Sequence, residues 1–137
     1  MAYMSQEKKA RLAPAIKAIC RKYGVKASLA VRNHSTLVLN IKQGSIDFIG
    51  NFNKVCGNDH YQVSRGFRPV TSGSMSVNVY WYKDHFDGKA LSFLKEVIPA
   101  MHVGNHDNSD IQTDYFDVGW YVDVEVGKWD KPYALEK

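Results

Sequence analysis

Cysteine is scarce in this chain: Cys20 and Cys56 are the only two in 137 residues, and they form no CxxC pair. This excludes a disulfide-stapled scaffold and a thiolate zinc finger. One disulfide is the most they allow, and a reduced pair is the expectation. Proline is also sparse, with four residues, so a Pro-rich linker or tail is excluded. No apolar run exceeds about five residues, too short to span a membrane. Lys8, Lys9 and Arg11 interrupt what would be the apolar core of a signal peptide. The expectation is a protein of the cytoplasm with no membrane partner. The glycines form neither GxGxxG nor a GK[ST] loop, which leaves dinucleotide and P-loop folds unsupported. No serine sits in GxSxG. No cofactor is implied.

What the chain has in quantity is apolar and aromatic residues, 45% and 12%. At this length the composition points to one ordered domain spanning 1–137, able to bury about two thirds of its unfolded surface. Its charge is sorted along the sequence. Residues 1–42 carry nine Lys/Arg against Glu7 alone, the middle is near balance, and 104–137 carries eight acids against three lysines. Such a dipolar molecule implies a partner with a strong field of its own, or two ends that pair with each other.

Periodicity places the elements. Ser5 is an N-cap for a helix running to about Tyr23 and stopped by Gly24. Leu12, Ile16, Ile19, Cys20 and Tyr23 share its apolar face. Lys17 and Arg21 lie opposite, with Arg11 and Lys22 on one flank. Pro14 predicts a kink, or a separate turn before it. Two alternating runs, Leu29/Val31 and Leu37/Leu39/Ile41, read as strands joined by a hairpin turn at Arg32-Asn33-His34-Ser35. Residues 46–53 are ambiguous, and 57–74 read mostly as loop with a short strand at 61–63. Alternation resumes at Met75, Val77 and Val79 and runs into Tyr80-Trp81-Tyr82.

Asp87 is the expected cap of a second clear helix to about Met101, bent or ended early by Pro99. Residues 104–109 read as a turn. Trp120, Val122, Val124 and Val126 define the cleanest strand, closed by Gly127, and Trp129 with Pro132 predicts a tail laid back on the body. The order implies an α+β fold: two layers, with an antiparallel sheet of about four strands and two main helices on one face. Leu12, Ile16, Leu37, Leu39, Leu94, Ile98, Trp120, Val122 and Val124 are the expected core.

Four constellations bear on function. His102, His106, Asp110, Asp114 and Asp117 are of ligand type, but Gly104 and Asn105 break the helical spacing and 107–111 fails the calcium-loop pattern, so no metal is expected. Ser35 beside His34 on a turn does not make a nucleophile. Cys20 reads as a core residue, and Cys56, in a loop, lacks an assignable base. No catalytic residue is expected, and the chain reads more as a binder than as an enzyme, with a small metal-dependent hydrolase the weakest alternative. Arg11, Lys17, Arg21, Lys22, Lys26 and Arg32 are candidates to track a nucleic-acid backbone, with Tyr23 and Tyr80-Trp81-Tyr82 available for stacking. Asp107, Asp110, Asp114, Tyr115 and Asp117 are candidates to dock a basic protein partner. For both sets the plainer reading is a solvated face, or pairing of the basic and acidic thirds with each other.

Three strings carry a resemblance: Val31-Arg32-Asn33-His34-Ser35-Thr36-Leu37-Val38, Ser109-Asp110-Ile111-Gln112-Thr113-Asp114-Tyr115-Phe116 and Val126-Gly127-Lys128-Trp129-Asp130-Lys131-Pro132-Tyr133. With the first six residues and the basic first helix, they resemble a large polyvalent protein-associated domain family of bacteriophages and plasmids, which also occurs as a free-standing small protein. The resemblance spans nearly the whole chain and is thinnest over 57–74. The family has no established activity, so it supplies no catalytic residues. It implies a protein of a mobile element, acting in the bacterial host cytoplasm on the host's machinery or defences. The leading expectation is therefore a non-enzymatic protein that binds a host macromolecule, such as a component of a defence system. The alternative is a nucleic-acid-binding accessory protein using the first helix. The sequence leaves the oligomeric state and the identity of the partner open.

Overall fold

The computed structural model describes residues 3–66, 68–103, 119–128 and 130–135. Its first element, α1 (Gln6–Lys22), begins where the Ser5 hydroxyl accepts the Lys8 N–H at 3.0 Å. It ends before Gly24, whose φ of +67° is open to glycine at no steric cost. Pro14 lies inside it and does not split it into two elements. Ala10, whose carbonyl loses its partner to the proline, is exposed like Pro14 itself, so water can satisfy that carbonyl.

β1 (Val25–Arg32) and β2 (Thr36–Gly44) form the expected hairpin. Asn33 and His34 have φ of 55° and 57°, the pair of positive values of a type I′ turn, whose twist matches that of the strands. The His34 carbonyl accepts the Met4 N–H at 2.8 Å, which ties the segment before α1 to this turn and buries Met4.

The ambiguous stretch is α2 (Phe48–Asn58), whose N-cap Asp47 accepts the Gly50 N–H at 2.9 Å. A short α3 (His60–Ser64) follows, so the expectation of a strand at 61–63 is corrected to helix. β3 (Met75–Val77) is brief, because Asn78 turns the chain by accepting the N–H groups of Tyr80 and Trp81 at 2.9 and 3.0 Å. α4 (Tyr82–His85) leads into α5 (Gly88–Met101). Asp87 precedes α5 but caps it without its side chain; the carboxylate instead accepts the Asn51 amide at 2.5 Å, joining α5 to α2. Pro99 does not end α5 early, since it lies on the exposed side with Lys95, whose carbonyl it leaves unpaired.

β4 (Tyr121–Val126) completes the centre of the sheet, and β5 (Ala134–Leu135) pairs with the end of β2. The fold is α+β. Its strand order is β1-β2-β4-β3, and the sheet is mixed. β1/β2 and β3/β4 are antiparallel, but β2 and β4 run parallel with Thr36 opposite Tyr121. The antiparallel sheet expected is corrected here. Among the described residues, the chain between β2 and β4 passes through four helices and β3, a connection long enough for the crossover that parallel neighbours require.

Leu37, Leu39 and Ile41 of β2 and Val122, Val124 and Val126 of β4 face α5, whose Phe93, Leu94 and Val97 are fully buried. Of the expected core, Leu12 alone is only partly buried, at the margin of the cluster. The tail does fold back. Tyr133 donates its N–H to the Gly73 carbonyl at 2.8 Å and its hydroxyl to the Ile46 carbonyl at 2.7 Å. Trp129 lies outside the described residues. Among the described residues no helix is long and apolar enough to cross a membrane.

Candidate binding groove beside the first helix

The basic residues of the first third do not form one track. α1 packs beside β1 on one flank and α5 on the other, and its cations divide accordingly. On the α5 flank, Lys22 Nζ lies 3.0 and 3.3 Å from the two Glu96 carboxylate oxygens, and the Tyr23 hydroxyl donates to the same carboxylate. These bonds hold Glu96 below the usual carboxylate range and raise both Lys22 and the Tyr23 phenol. Tyr23 also packs edge-on against Phe93, with ring centroids 5.7 Å apart. Lys22 and Tyr23 are thus fastened to α5. Arg11 borders a separate recess of about 320 Å³ with Lys8, Leu12, Val103 and Trp120. The Lys8 ammonium there is 5.5 Å from the Tyr3 and Trp120 ring centroids.

Arg32 stands at the far end of β1 and pairs with Asp123 of β4. Among the described residues, that pair and Lys22–Glu96 join Arg32 and Lys22 to carboxylates of the same chain.

Three of the candidates come together. Lys17 and Arg21 of α1 and Lys26 of β1 rim a groove of about 460 Å³ between the helix and the strand. Its floor is apolar: Ile16 and Cys20 from α1, Leu29 from β1 and Leu39 from β2. The groove exists because the sheet's cover thins toward β1. Leu37, Leu39 and Ile41 are fully buried, whereas their cross-strand partners Val31, Leu29 and Ala27 are only half-buried. Ala27, small and on the same face as Leu29 and Val31, leaves space that α1 does not fill. The arrangement suits an anionic partner with an apolar anchor: the floor takes the anchor and the rim takes carboxylates.

The other candidates sort as follows. Both cysteines are free and buried. Burial pushes the Cys20 thiol up to about 11 against a smaller opposing backbone hydrogen bond, and also raises Cys56. Cys56 belongs to α2, not to a loop, which removes it as an exposed thiol. Of the residues weighed as metal ligands, His102 ends α5. Its partners His106, Asp110, Asp114 and Asp117 lie outside the described residues, as do the protein-binding candidates Asp107 and Tyr115. Among the described residues no group of three or more His, Cys, Asp or Glu is placed to hold a metal.

The Tyr80-Trp81-Tyr82 set divides: Tyr82 is buried, while Tyr80 and Trp81 are 82% and 62% exposed on the turn after β3. Sequence reasoning found the cations of the groove. It missed Leu29, Ala27 and Leu39 as groove-lining residues, because their alternation signals a core strand and is silent on which strand lies at the edge.

No family model, curated protein or solved structure matches this chain.

Proposed function

We propose that the protein is a non-enzymatic binding protein of a phage or plasmid. It docks an acidic segment of a host protein in the α1/β1 groove and thereby inhibits a bacterial defence system in the host cytoplasm. The groove carries this reading: an apolar floor at Ile16, Leu29 and Leu39 under a rim of Lys17, Arg21 and Lys26. A duplex backbone would use the cations and leave the floor empty, whereas an acidic protein segment uses both. The mobile-element setting rests on the family resemblance of the sequence.

The test is plaque formation by a restricted phage on defended bacteria expressing the protein. Wild type restores plaques, and Lys17→Glu with Arg21→Glu abolishes the rescue while circular dichroism stays unchanged. Affinity capture from the same cells identifies the target as a protein that survives nuclease treatment. Capture that disappears with nuclease transfers the groove to the nucleic-acid reading.

A further inference from the structure

β4 stops pairing with β2 at Ile41 opposite Val126, and β5 resumes the pairing at Gln43 opposite Ala134. Between these points the chain leaves the sheet at Gly127 and returns past Pro132. Gly127 holds φ of 68°, and a Cβ there would stand 2.5 Å from the Gly73 carbonyl oxygen and 2.6 Å from the Tyr133 nitrogen. The excursion is therefore pressed against the body. Beside it lies a recess of about 170 Å³, with Lys42, Lys128, Lys131, Asn40 and Pro132 in its lining.

Two local devices bring the lysines to this recess. Lys42 is the extra residue of a β-bulge: Ala27 pairs with Ile41 and Lys26 with Gln43, so β2 has one residue more than β1 there. Bulges re-aim side chains and recur beside functional sites. Lys128 and Lys131 exchange both backbone hydrogen bonds, at 2.8 and 3.2 Å, as directly opposed hairpin residues do. Side chains of such a pair stand close together on one face, where like charges are destabilising. All three lysines are exposed, and among the described residues none forms an ion pair with a carboxylate. Asp130, in the same turn, is exposed, and Glu125, opposite Asn40, accepts the Ser76 hydroxyl.

We infer that Lys42, Lys128 and Lys131 form a binding site for a phosphate group carrying more than one charge, a phosphomonoester or a diphosphate. The site lies apart from the α1/β1 groove and goes beyond the reading given for it. An ammonium is a point charge with three donors and no fixed plane, so three of them suit the tetrahedral oxygens of phosphate. A planar carboxylate is better matched by the fork of an arginine. The Asn40 amide, half-buried at the recess, adds a neutral donor. The recess is smaller than the roughly 300–1,000 Å³ of whole-ligand pockets, so it takes the headgroup and leaves the rest of the molecule outside. A monoester brings about −1.5 to −2 at neutral pH, closer to what three cations balance than the single charge of a diester.

The probe is inorganic pyrophosphate, titrated into the full chain at low salt and followed by calorimetry and by backbone amide shifts. Saturable binding is expected, with shifts concentrated at Lys42, Gly127, Lys128 and Lys131. Lys128→Gln with Lys131→Gln should weaken it about tenfold or more. The same variant should keep or raise the unfolding midpoint without ligand, because it removes a like-charge pair. Lys89→Gln with Lys95→Gln removes the same charge from α5 and should leave the affinity within about twofold.

No saturable binding of pyrophosphate overturns the site. An equal loss in the α5 variant overturns it too, since net charge alone would then explain the binding. Equal affinity for tricarballylate, a tricarboxylate, overturns the preference for phosphate. Two further competitors distinguish the source once the site stands. Displacement by a nucleoside diphosphate identifies a free nucleotide. Displacement by a 5′-phosphorylated oligonucleotide, with none by its 5′-hydroxyl twin, identifies a nucleic-acid end. Equal displacement by the 5′-hydroxyl twin overturns the requirement for a multiply charged group. The groove reading is untouched by each of these results, because its own test uses Lys17 and Arg21.

Discussion

Arg32 on β1 reaches across β2 to pair with Asp123 on β4, one cation of the basic third joined to one acid of the acidic third. The register puts both on the sheet face opposite α5, with Thr36 and Val38 between them. Val38 is only 4% exposed there although it belongs to no helix-covered cluster, consistent with the paired side chains lying over it. The charge sorting of the sequence is therefore used in part within the molecule. A double-mutant cycle of Arg32→Ala and Asp123→Ala should give a coupling of about 0.2–1 kcal/mol, as half-exposed pairs do. Denaturation at high salt should shrink it.

Leu94 is fully buried at the centre of α5. Leu94→Ala should lower unfolding free energy by about 2–5 kcal/mol, the range for large-to-small changes that leave a cavity. Chemical denaturation measures this directly, and a loss below about 1 kcal/mol would contradict the packing described.

His34 carries a Cβ and yet holds φ of 57°, in the left-handed region that favours glycine. His34→Gly converts the turn to Asn-Gly, the strongest type I′ pair, and should stabilise the protein by about 0.5–1 kcal/mol in thermal or denaturant unfolding. His34→Val should destabilise it, since a β-branched residue resists positive φ.

Cys20 sets an alkaline limit. Its thiol is raised by burial to about 11 in the folded protein, above the ordinary 9.0, so the native state favours the protonated form. That contribution is complete below about pH 9 and is lost as the pH climbs toward 11. Unfolding measured across this window should show a decline that Cys20→Ala reduces. At pH 8, native Cys20 should react with a thiol reagent far more slowly than in denaturant.

Local pattern carried much of the fold. Ser5 and Gly24 mark α1, the alternation of Leu37, Leu39 and Ile41 marks β2, and Asn33-His34 marks the turn between strands. Each is a short-range signal whose chemistry acts on its own neighbours. α2 was obscured by Gly50, Asn51, Asn53 and Gly57, which lower helix propensity but are outweighed by the Asp47 cap and the buried Phe48 and Cys56. The parallel pairing of β2 with β4 left no local trace, because register between distant strands is decided by the crossover and not by either strand's period. The groove was half legible for the same reason. Lys17 and Arg21 follow from helical spacing, while their meeting with Leu29 depends on β1 being an outer strand.

The parallel pairing of β2 and β4 has a consequence for biosynthesis. As the chain leaves the ribosome, α1 and the β1/β2 hairpin can form early, but Thr36 must wait for Tyr121 before β2 gains its second neighbour. For most of translation the apolar row Leu37, Leu39 and Ile41 has an open flank on one side and only β1 on the other. A nascent chain in that state is prone to pair with its own copies. Ribosome pausing or premature termination before residue 121 therefore threatens solubility more than a comparable error in the tail. Whatever speeds delivery of β4 to β2 protects the yield of folded protein.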